Sequence, residues 1–448
     1  MGNGIEELAT FAATLKFGDL PSAVQSRVKA ITIDTLASAI AGRNGDETTQ
    51  IEALGRALGD HGHSTVLGGR PASSAAAALI NGYQVTAVTV CDIYRPALCH
   101  VTPEVVPPAL IVAEQRGSTG PDLLAAIAAG LETTTRIGRA VNYQAFRDRG
   151  WHSPGVIGPF GGAAAAGRLL GLDPLRQRHA FGLAGSQAAG TFAHWGTPTI
   201  KFHQARGSLS GLMAAFLAEQ GFLSAADVLA NPDGGLFHAY SDGGSPDLLD
   251  ADLGQDWELD RIGLRRWPAA SSIQTMITSL FALLAVHPLD PADIEQVSVE
   301  LSPTVFGMHG ALPWSTKFSA QLSAPFVTAV VLHDRQCWLD QFTPERITDP
   351  RLDEFARQQV TVTENRDLSG TSCVIRIHTT DGRVLEDSRS VPKGDADDPL
   401  TMSEVEEKFR EAGHGVLDGD VVEQALELWG DIENCRDVTP LVSMLGRA

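Results

Sequence analysis

Cysteine is scarce and scattered in this 448-residue sequence. The five cysteines, Cys91, Cys99, Cys337, Cys373 and Cys435, are odd in number and include no Cys-x-x-Cys pair. A disulfide scaffold needs paired cysteines in an oxidising compartment, and a structural zinc site needs closely spaced ligands. The sequence therefore argues against both and indicates a cytoplasmic protein.

Positive charge is also in short supply. The sequence has 34 basic and 54 acidic side chains, for a net charge of −20. Nucleic acids and anionic membranes are bound by basic surfaces, whereas the basic clusters here contain only two or three residues. We therefore predict neither nucleic acid nor membrane as a partner.

Long apolar runs and common cofactor motifs are missing as well. No apolar stretch reaches the ~18 residues that span a bilayer, and the first residues lack the basic segment of a secretory signal. The P-loop, HExxH and GxSxG strings are absent, and Gly155-Val-Ile-Gly158 is attributed to close helix packing. We predict a soluble protein with no cofactor and no metal.

Hydrophobic spacing predicts the fold class. Residues 5–230 carry apolar side chains three and four positions apart, with small residues between them, which is typical of closely packed helices. Alternating runs typical of strands then follow up to residue 393, and amphipathic helices return after Pro399. The prediction is a mostly α protein with an α+β portion that contains an antiparallel sheet.

The same change of pattern predicts the domain boundaries. A large all-α helical domain would comprise residues 1–264 and 398–448, with a smaller α+β lid domain, residues 265–397, inserted between them. A cleft between two such domains is a favoured place for a ligand.

Two histidines precede predicted helix starts. His100 precedes Val101-Thr102-Pro103, and His152 precedes Ser153-Pro154. Ser or Thr followed by Pro is typical of the N-cap and first position of a helix, whose N-terminus favours anions and disfavours imidazolium. Each histidine is therefore a candidate neutral base beside a bound carboxylate, and the alternative is that each merely caps a turn.

Three further residues are candidates for proton transfer or anion binding. Lys201 lies at the start of a helix rich in small residues. Its alternative roles are a carboxylate anchor, a base of lowered pKa, or a solvated lysine without a role in the site. Asp92 lies in an apolar setting, where its carboxylate could hold a histidine in one tautomer. Tyr143 is a proton donor or a packing residue.

Several of these segments together resemble the MmgE/PrpD family. They are Asp92 with His100, Gly150-Trp-His152-Ser-Pro154, Lys201-Phe-His203, Arg266-Trp-Pro268 and Lys317-Phe-Ser319. The resemblance covers essentially the whole chain. It implies an all-α domain with an inserted α+β lid, a homodimer, and activity on a di- or tricarboxylate without a redox cofactor.

Two positions in the predicted lid domain depart from the family pattern, and Ile93 follows Asp92 where the family pattern has a second acid. Family members that are decarboxylases or dehydratases usually carry a histidine six residues after the proline of the Arg-Trp-Pro motif and an aromatic hydroxyl three residues after Ser319. This sequence has Gln274 and Leu322 there. An epimerase needs two proton-handling groups but no acid for a leaving group. We therefore predict an epimerase of an iminodisuccinate-like polycarboxylate. The alternatives are a dehydratase of a citrate-like acid and an inactive polycarboxylate-binding relative.

The predicted site combines residues for proton transfer and for substrate binding. The catalytic set implied by the resemblance and the motifs is His100, His152, Lys201, Tyr143 and Asp92. The predicted substrate-binding set is Arg147, Arg149, His203, Arg266, Gln274 and Lys317.

Overall fold

A computed structural model describes residues 4–311 and 313–446. The chain forms two compact units. Unit 1 comprises Met1–Ala87, Cys91–Gly263 and Thr401–Ala448, and unit 2 comprises Val88–Val90 and Leu264–Leu400. The protein is mostly helical, with a smaller α+β portion, as predicted.

The described residues form these helices, in chain order: α1 (Gly4–Thr14), α2 (Ser22–Ala41), α3 (Thr48–Gly59), α4 (Ser74–Ala87), α5 (Thr102–Arg116), α6 (Gly120–Ala140), α7 (Tyr143–Asp148), α8 (Ser153–Leu170), α9 (Pro174–Gly185), α10 (Thr199–Glu219), α11 (Leu236–Tyr240), α12 (Gln274–Val286), α13 (Pro303–His309), α14 (Lys317–Leu322), α15 (Ala324–Asp334), α16 (Pro344–Ile347), α17 (Pro350–Gln358), α18 (Met402–Gly413), α19 (Gly419–Gly430) and α20 (Thr439–Ser443). The strands are β1 (Ile93–Tyr94), β2 (Ile262–Gly263), β3 (Ile294–Leu301), β4 (Val360–Glu364), β5 (Cys373–Thr379) and β6 (Val384–Arg389).

Small residues let α8 and α10 cross with their backbones in contact in unit 1. A Cβ added to Gly211 of α10 would lie 2.7 Å from the carbonyl oxygen of Pro159 and 2.9 Å from the Cα of Gly162, both in α8. Likewise, a Cβ on Gly162 would lie 2.6 Å from the carbonyl oxygen of Glu104 in α5. This close crossing determines which side chains at the starts of α8 and α10 can meet.

The four-stranded sheet of unit 2 differs from the prediction in one strand. Its order is β4-β3-β5-β6, and β5 is antiparallel to both β3 and β6. However, β4 runs parallel to β3, so the antiparallel prediction holds for β3, β5 and β6 but is wrong for β4, and the sheet is mixed. The reason is the connection: helices α13 to α17 separate β3 from β4, and such a crossover returns the chain in the same direction.

Strand β5 has one covered face. Its residues alternate between buried and half-buried, with Cys373, Ile375 and Ile377 inside. This is the period-two pattern of a strand with one face against a core. No helix among the described residues is both long and apolar enough to cross a membrane.

Candidate active site

Two histidines of unit 1 form a hydrogen-bonded pair. His152 is the N-cap residue of α8, and His203 lies in the first turns of α10. Their Nδ1 atoms are 3.0 Å apart. One Nδ1 must donate and the other accept, so in the neutral pair one ring has a basic Nε2 and the other has an Nε2–H. The pair thus offers one proton acceptor and one proton donor.

Burial keeps both rings of this pair neutral. His152 and His203 are 7% and 6% exposed. Burial lowers the pKa of His203 to about 4, and the positive charge of Arg206 adds to the effect. Burial also lowers the pKa of His152 well below its usual range, with further contributions from His203, His100 and Arg147. At neutral pH both imidazoles are therefore uncharged.

Gly190 and Arg206 hold the pair in place. The Gly190 carbonyl accepts a hydrogen bond from the His152 N–H at 3.0 Å. Gly190 has φ of +133°, and a Cβ there would lie 2.9 Å from Nδ1 of His203. The Arg206 guanidinium donates to the carbonyls of Gln187, Gly155 and Ala189, at 2.6, 2.7 and 2.6 Å. These bonds fix the loop that lies against both rings.

His100 is oriented by a backbone carbonyl rather than by the carboxylate of Asp92. Its Nδ1 lies 2.6 Å from the Asp92 carbonyl oxygen, which can only accept, so Nδ1 carries the proton. The Asp92 carboxylate instead accepts from the N–H groups of Val101 and Thr102, at 2.7 and 3.1 Å, and from the Thr102 hydroxyl. This carboxylate therefore caps α5 and its charge also interacts with His100, so its predicted role in holding a histidine tautomer stays a prediction.

The two helix starts lie close to where the sequence places them. Helix α5 begins at Thr102, and α8 begins at Ser153 with Pro154 in its first turn. The N-cap residues are Val101 and His152, one position before the predicted Thr102 and Ser153. At α5 the cap is supplied by the Asp92 side chain from outside the helix. Burial raises the pKa of Asp92, while His100 and the Thr102 hydroxyl oppose this shift.

Arg147 of α7 lies near the histidine pair, and Tyr143 lies one turn earlier in the same helix. The Arg147 guanidinium carbon is 3.5 Å from the ring centre of Phe192, and that ring is 6.1 Å from His152. Burial raises the pKa of Tyr143 to about 12, an effect that Arg147 partly opposes. Tyr143 therefore keeps its proton at neutral pH and remains available as a donor, and it also packs on Phe146 at 6.4 Å between ring centres.

Lys201 is a buried lysine. It is 5% exposed and donates to the carbonyl oxygen of Ala87, the last residue of α4, at 2.5 Å. A cation is favourable at the C-terminal end of a helix. The alternative of a solvated lysine is thus wrong, and the geometry suits a charged anchor.

Other predicted residues lie elsewhere or are committed to the backbone. Arg149 is exposed and donates to the carbonyls of His238 and Ala239, at 3.2 and 3.3 Å, so it holds the end of α11. Gln274 lies in unit 2, where its amide donates to the carbonyls of Trp267 and Ala269 at 3.0 and 3.1 Å. The remaining two, Arg266 and Lys317, are half-buried residues of unit 2.

Glu104 is a residue that the sequence reasoning missed. It is fully buried in the first turn of α5, and neither carboxylate oxygen has a hydrogen-bond partner. Burial raises its pKa well above the usual range, and the charge of Asp92 adds to this. Its side chain fills the space at Gly158 of α8 and Gly207 of α10, where added Cβ atoms would lie 2.7 and 2.8 Å from it. The sequence feature that could have identified Glu104 is a single acidic residue within the apolar run after Pro103.

Within residues 4–311 and 313–446, no group of three or more His, Cys, Asp or Glu side chains is arranged to hold a metal ion.

Residues 6–249 match the MmgE/PrpD N-terminal domain and residues 267–431 match the MmgE/PrpD C-terminal domain, so the chain belongs to the MmgE/PrpD family of enzymes.

Curated relatives are similar over nearly their whole length. The chain is 28% identical to the cis-aconitate decarboxylase-like protein oryM of Aspergillus oryzae, over 99% of this chain and 97% of the relative. It is 26% identical to cis-aconitate decarboxylase of Aspergillus terreus (98% and 95% covered) and 27% identical to that of Homo sapiens (98% and 94%).

Proposed function

We propose that this protein is a lyase that acts on a small polycarboxylate of the cis-aconitate class without a redox cofactor. The observation that carries the proposal is the buried His152–His203 pair, which presents a base and an acid at neutral pH. The relatives named cis-aconitate decarboxylase favour a lyase over the epimerase predicted from the sequence.

The proposed reaction assigns separate tasks to the nearby residues. In a decarboxylation, the bond between carbon and one carboxylate breaks, carbon dioxide leaves, and the electron pair moves toward a remaining carboxylate. The Nε2–H of the histidine pair then returns a proton to carbon. Lys201 and Arg147 would stabilise the developing negative charge, and Tyr143 is a second neutral proton donor.

The same pair is compatible with two other reactions. Removal of a proton next to a carboxylate, followed by loss of water, would be a dehydration, and return of the proton from the opposite face would be an epimerisation. The epimerase remains a prediction, based on Gln274 and Leu322, and the Gln274 amide is bonded to backbone carbonyls. A homodimer and a cytoplasmic location also remain predictions from the sequence.

One experiment separates these reactions. The pure protein, dialysed against EDTA, is incubated in deuterium oxide with cis-aconitate, with a 2-methylcitrate stereoisomer, or with one stereoisomer of iminodisuccinate. We expect carbon dioxide and one deuterium per product molecule from cis-aconitate. Appearance of an alkene from the hydroxy acid would indicate a dehydratase instead, and deuterium wash-in with loss of optical rotation would indicate an epimerase.

Variants test the role of the pair in whichever reaction is found. H152Q and H203Q are each expected to reduce kcat by about 10²-fold or more, since general acid–base catalysis contributes that much. His61→Ala, in an exposed loop, is the matched control and should retain full activity. Full activity of both H152Q and H203Q would contradict the proposal.

A further inference from the structure

A further histidine of low pKa lies in unit 2, outside the set used in the proposed function. His309 is the last residue of α13, and its Nε2 is 2.6 Å from the hydroxyl oxygen of Ser272. Its Nδ1 is 2.8 Å from the carbonyl oxygen of Leu322, at the end of α14. Three separate segments of the chain thus meet in a row of hydrogen bonds.

The direction of these hydrogen bonds follows from the atoms involved. A carbonyl oxygen can only accept, so Nδ1 of His309 carries a proton and donates it to Leu322. In the neutral ring, Nε2 then accepts the hydrogen bond from the Ser272 hydroxyl. This is the polarity that activates a serine nucleophile: the base faces the hydroxyl, and a third group fixes the ring.

The surroundings of Ser272 suit a nucleophile. His309 is 1% exposed, whereas Ser272 is half-buried, so the base is shielded and the serine is more open. Burial lowers the pKa of His309 to about 4, so the ring is neutral at pH 7. Ser272 lies in the single 3₁₀ turn Ser271–Ile273, one residue before Ile273, which is the N-cap of the 13-residue helix α12.

We propose that Ser272 and His309 form a second catalytic site, which transfers the acyl group of small activated esters to Ser272. The Ser272 oxygen forms a bond to the acyl carbon while its proton passes to Nε2 of His309. The ester C–O bond breaks, and the leaving alcohol takes the proton from His309. Water then releases the carboxylic acid by the same steps, and this activity is independent of the lyase chemistry in unit 1.

A covalent probe tests the proposal in the full-length protein. A fluorophosphonate reacts with an activated serine, forming an O–P bond and releasing fluoride. We expect a single adduct, located at Ser272 by peptide mass spectrometry, and burst release of p-nitrophenolate from p-nitrophenyl acetate. Ser272→Ala should abolish both signals. Ser271→Ala, the neighbouring serine, is the control and should retain both.

The role of His309 has its own tests. H309Q should slow labelling by about 10²-fold, the usual contribution of a general base. Because this variant could fold poorly, the pH dependence of labelling in the unchanged protein is a second measurement. With a base of pKa about 4, labelling should stay constant between pH 8 and 5. Absence of an adduct at Ser272, or loss of labelling with a midpoint near pH 6.5, would overturn the proposal.

Discussion

At the scale of single residues, His203 links the site to acid stability. Its pKa is about 4 in the folded chain, against about 6.5 for an unperturbed histidine. Below pH 6.5 the unfolded chain binds a proton that the folded chain does not, so stability falls as the pH falls toward 4; above pH 6.5 neither state binds it. We expect H203Q to lose less unfolding free energy than the unchanged protein between pH 7.5 and 5, by up to about 2 kcal/mol. Urea denaturation at both pH values measures this difference, and equal losses in the two proteins would show that His203 titrates normally.

Glu104 is expected to respond to pH in the opposite direction. Its pKa is raised by burial, so the unfolded chain releases a proton above about pH 4.5 that the folded chain keeps. Stability linked to Glu104 is therefore present below this pH and is lost as the pH rises. Replacing an unpartnered buried acid with an apolar side chain of similar shape removes this cost. Glu104→Met should stabilise the protein by about 1–3 kcal/mol at pH 7.5, and less at pH 4.5.

Glu132 provides the matched control for Glu104. It is also fully buried, but it is paired with Arg136 at 2.6 Å and accepts from the N–H groups of Glu258 and Leu259. Glu132→Met leaves Arg136 without its carboxylate and should destabilise by about 3–5 kcal/mol. A similar destabilisation by Glu104→Met in urea denaturation would mean that Glu104 has polar partners of its own.

At the scale of elements, the starts of α5 and α8 were predictable because local chemistry sets them: a proline in the first turn and a preceding polar residue. The cap of α5 was not, since Asp92 reaches it through tertiary structure from ten residues earlier. The same limit applies to the His152–His203 pair, which depends on how α8 and α10 cross. The sequence analysis gave His152 as a candidate base and His203 as a substrate-binding residue, but it could not show that the two share a proton.

The crossing of α8 itself can be tested with one glycine. A Cβ at Gly162 would lie 2.6 Å from the backbone oxygen of Glu104, which cannot rotate away. Gly162→Ala should therefore destabilise by about 1–3 kcal/mol through overpacking. Gly307 in α13 has nothing within 4 Å of an added Cβ, so Gly307→Ala should be neutral or stabilise by up to about 1 kcal/mol. Thermal unfolding of both variants measures the contrast, and equal effects would argue against close helix contact at Gly162.

At the scale of the whole molecule, composition and hydrophobic period were enough to predict a mostly helical protein with an α+β portion. They could not predict the parallel pairing of β4 with β3. An isolated alternating run such as Val360-Thr361-Val362 is compatible with a strand that runs in either direction. The long helical connection between β3 and β4 determines that β4 is parallel to β3. Gln274 shows the same limit at a single position. The sequence suggested that this glutamine binds substrate, whereas its amide donates hydrogen bonds to the backbone carbonyls of Trp267 and Ala269.

The net charge of −20 leads to a prediction about how the polycarboxylate proposed above as substrate would reach the site. At about 10 mM ionic strength the Debye length is about 30 Å, so most of the protein's negative charge repels the substrate. At about 100 mM the Debye length is about 10 Å, so the substrate is influenced mainly by local cations such as Lys201 and Arg147. We therefore expect kcat/KM to rise between 10 and 100 mM potassium chloride, with kcat nearly constant. Initial rates with the substrate identified above measure this. R147Q, which removes one local cation, should lower kcat/KM at both salt concentrations while keeping the rise. A steady fall of kcat/KM from the lowest salt would instead show that local positive charge, rather than the total charge, governs substrate capture.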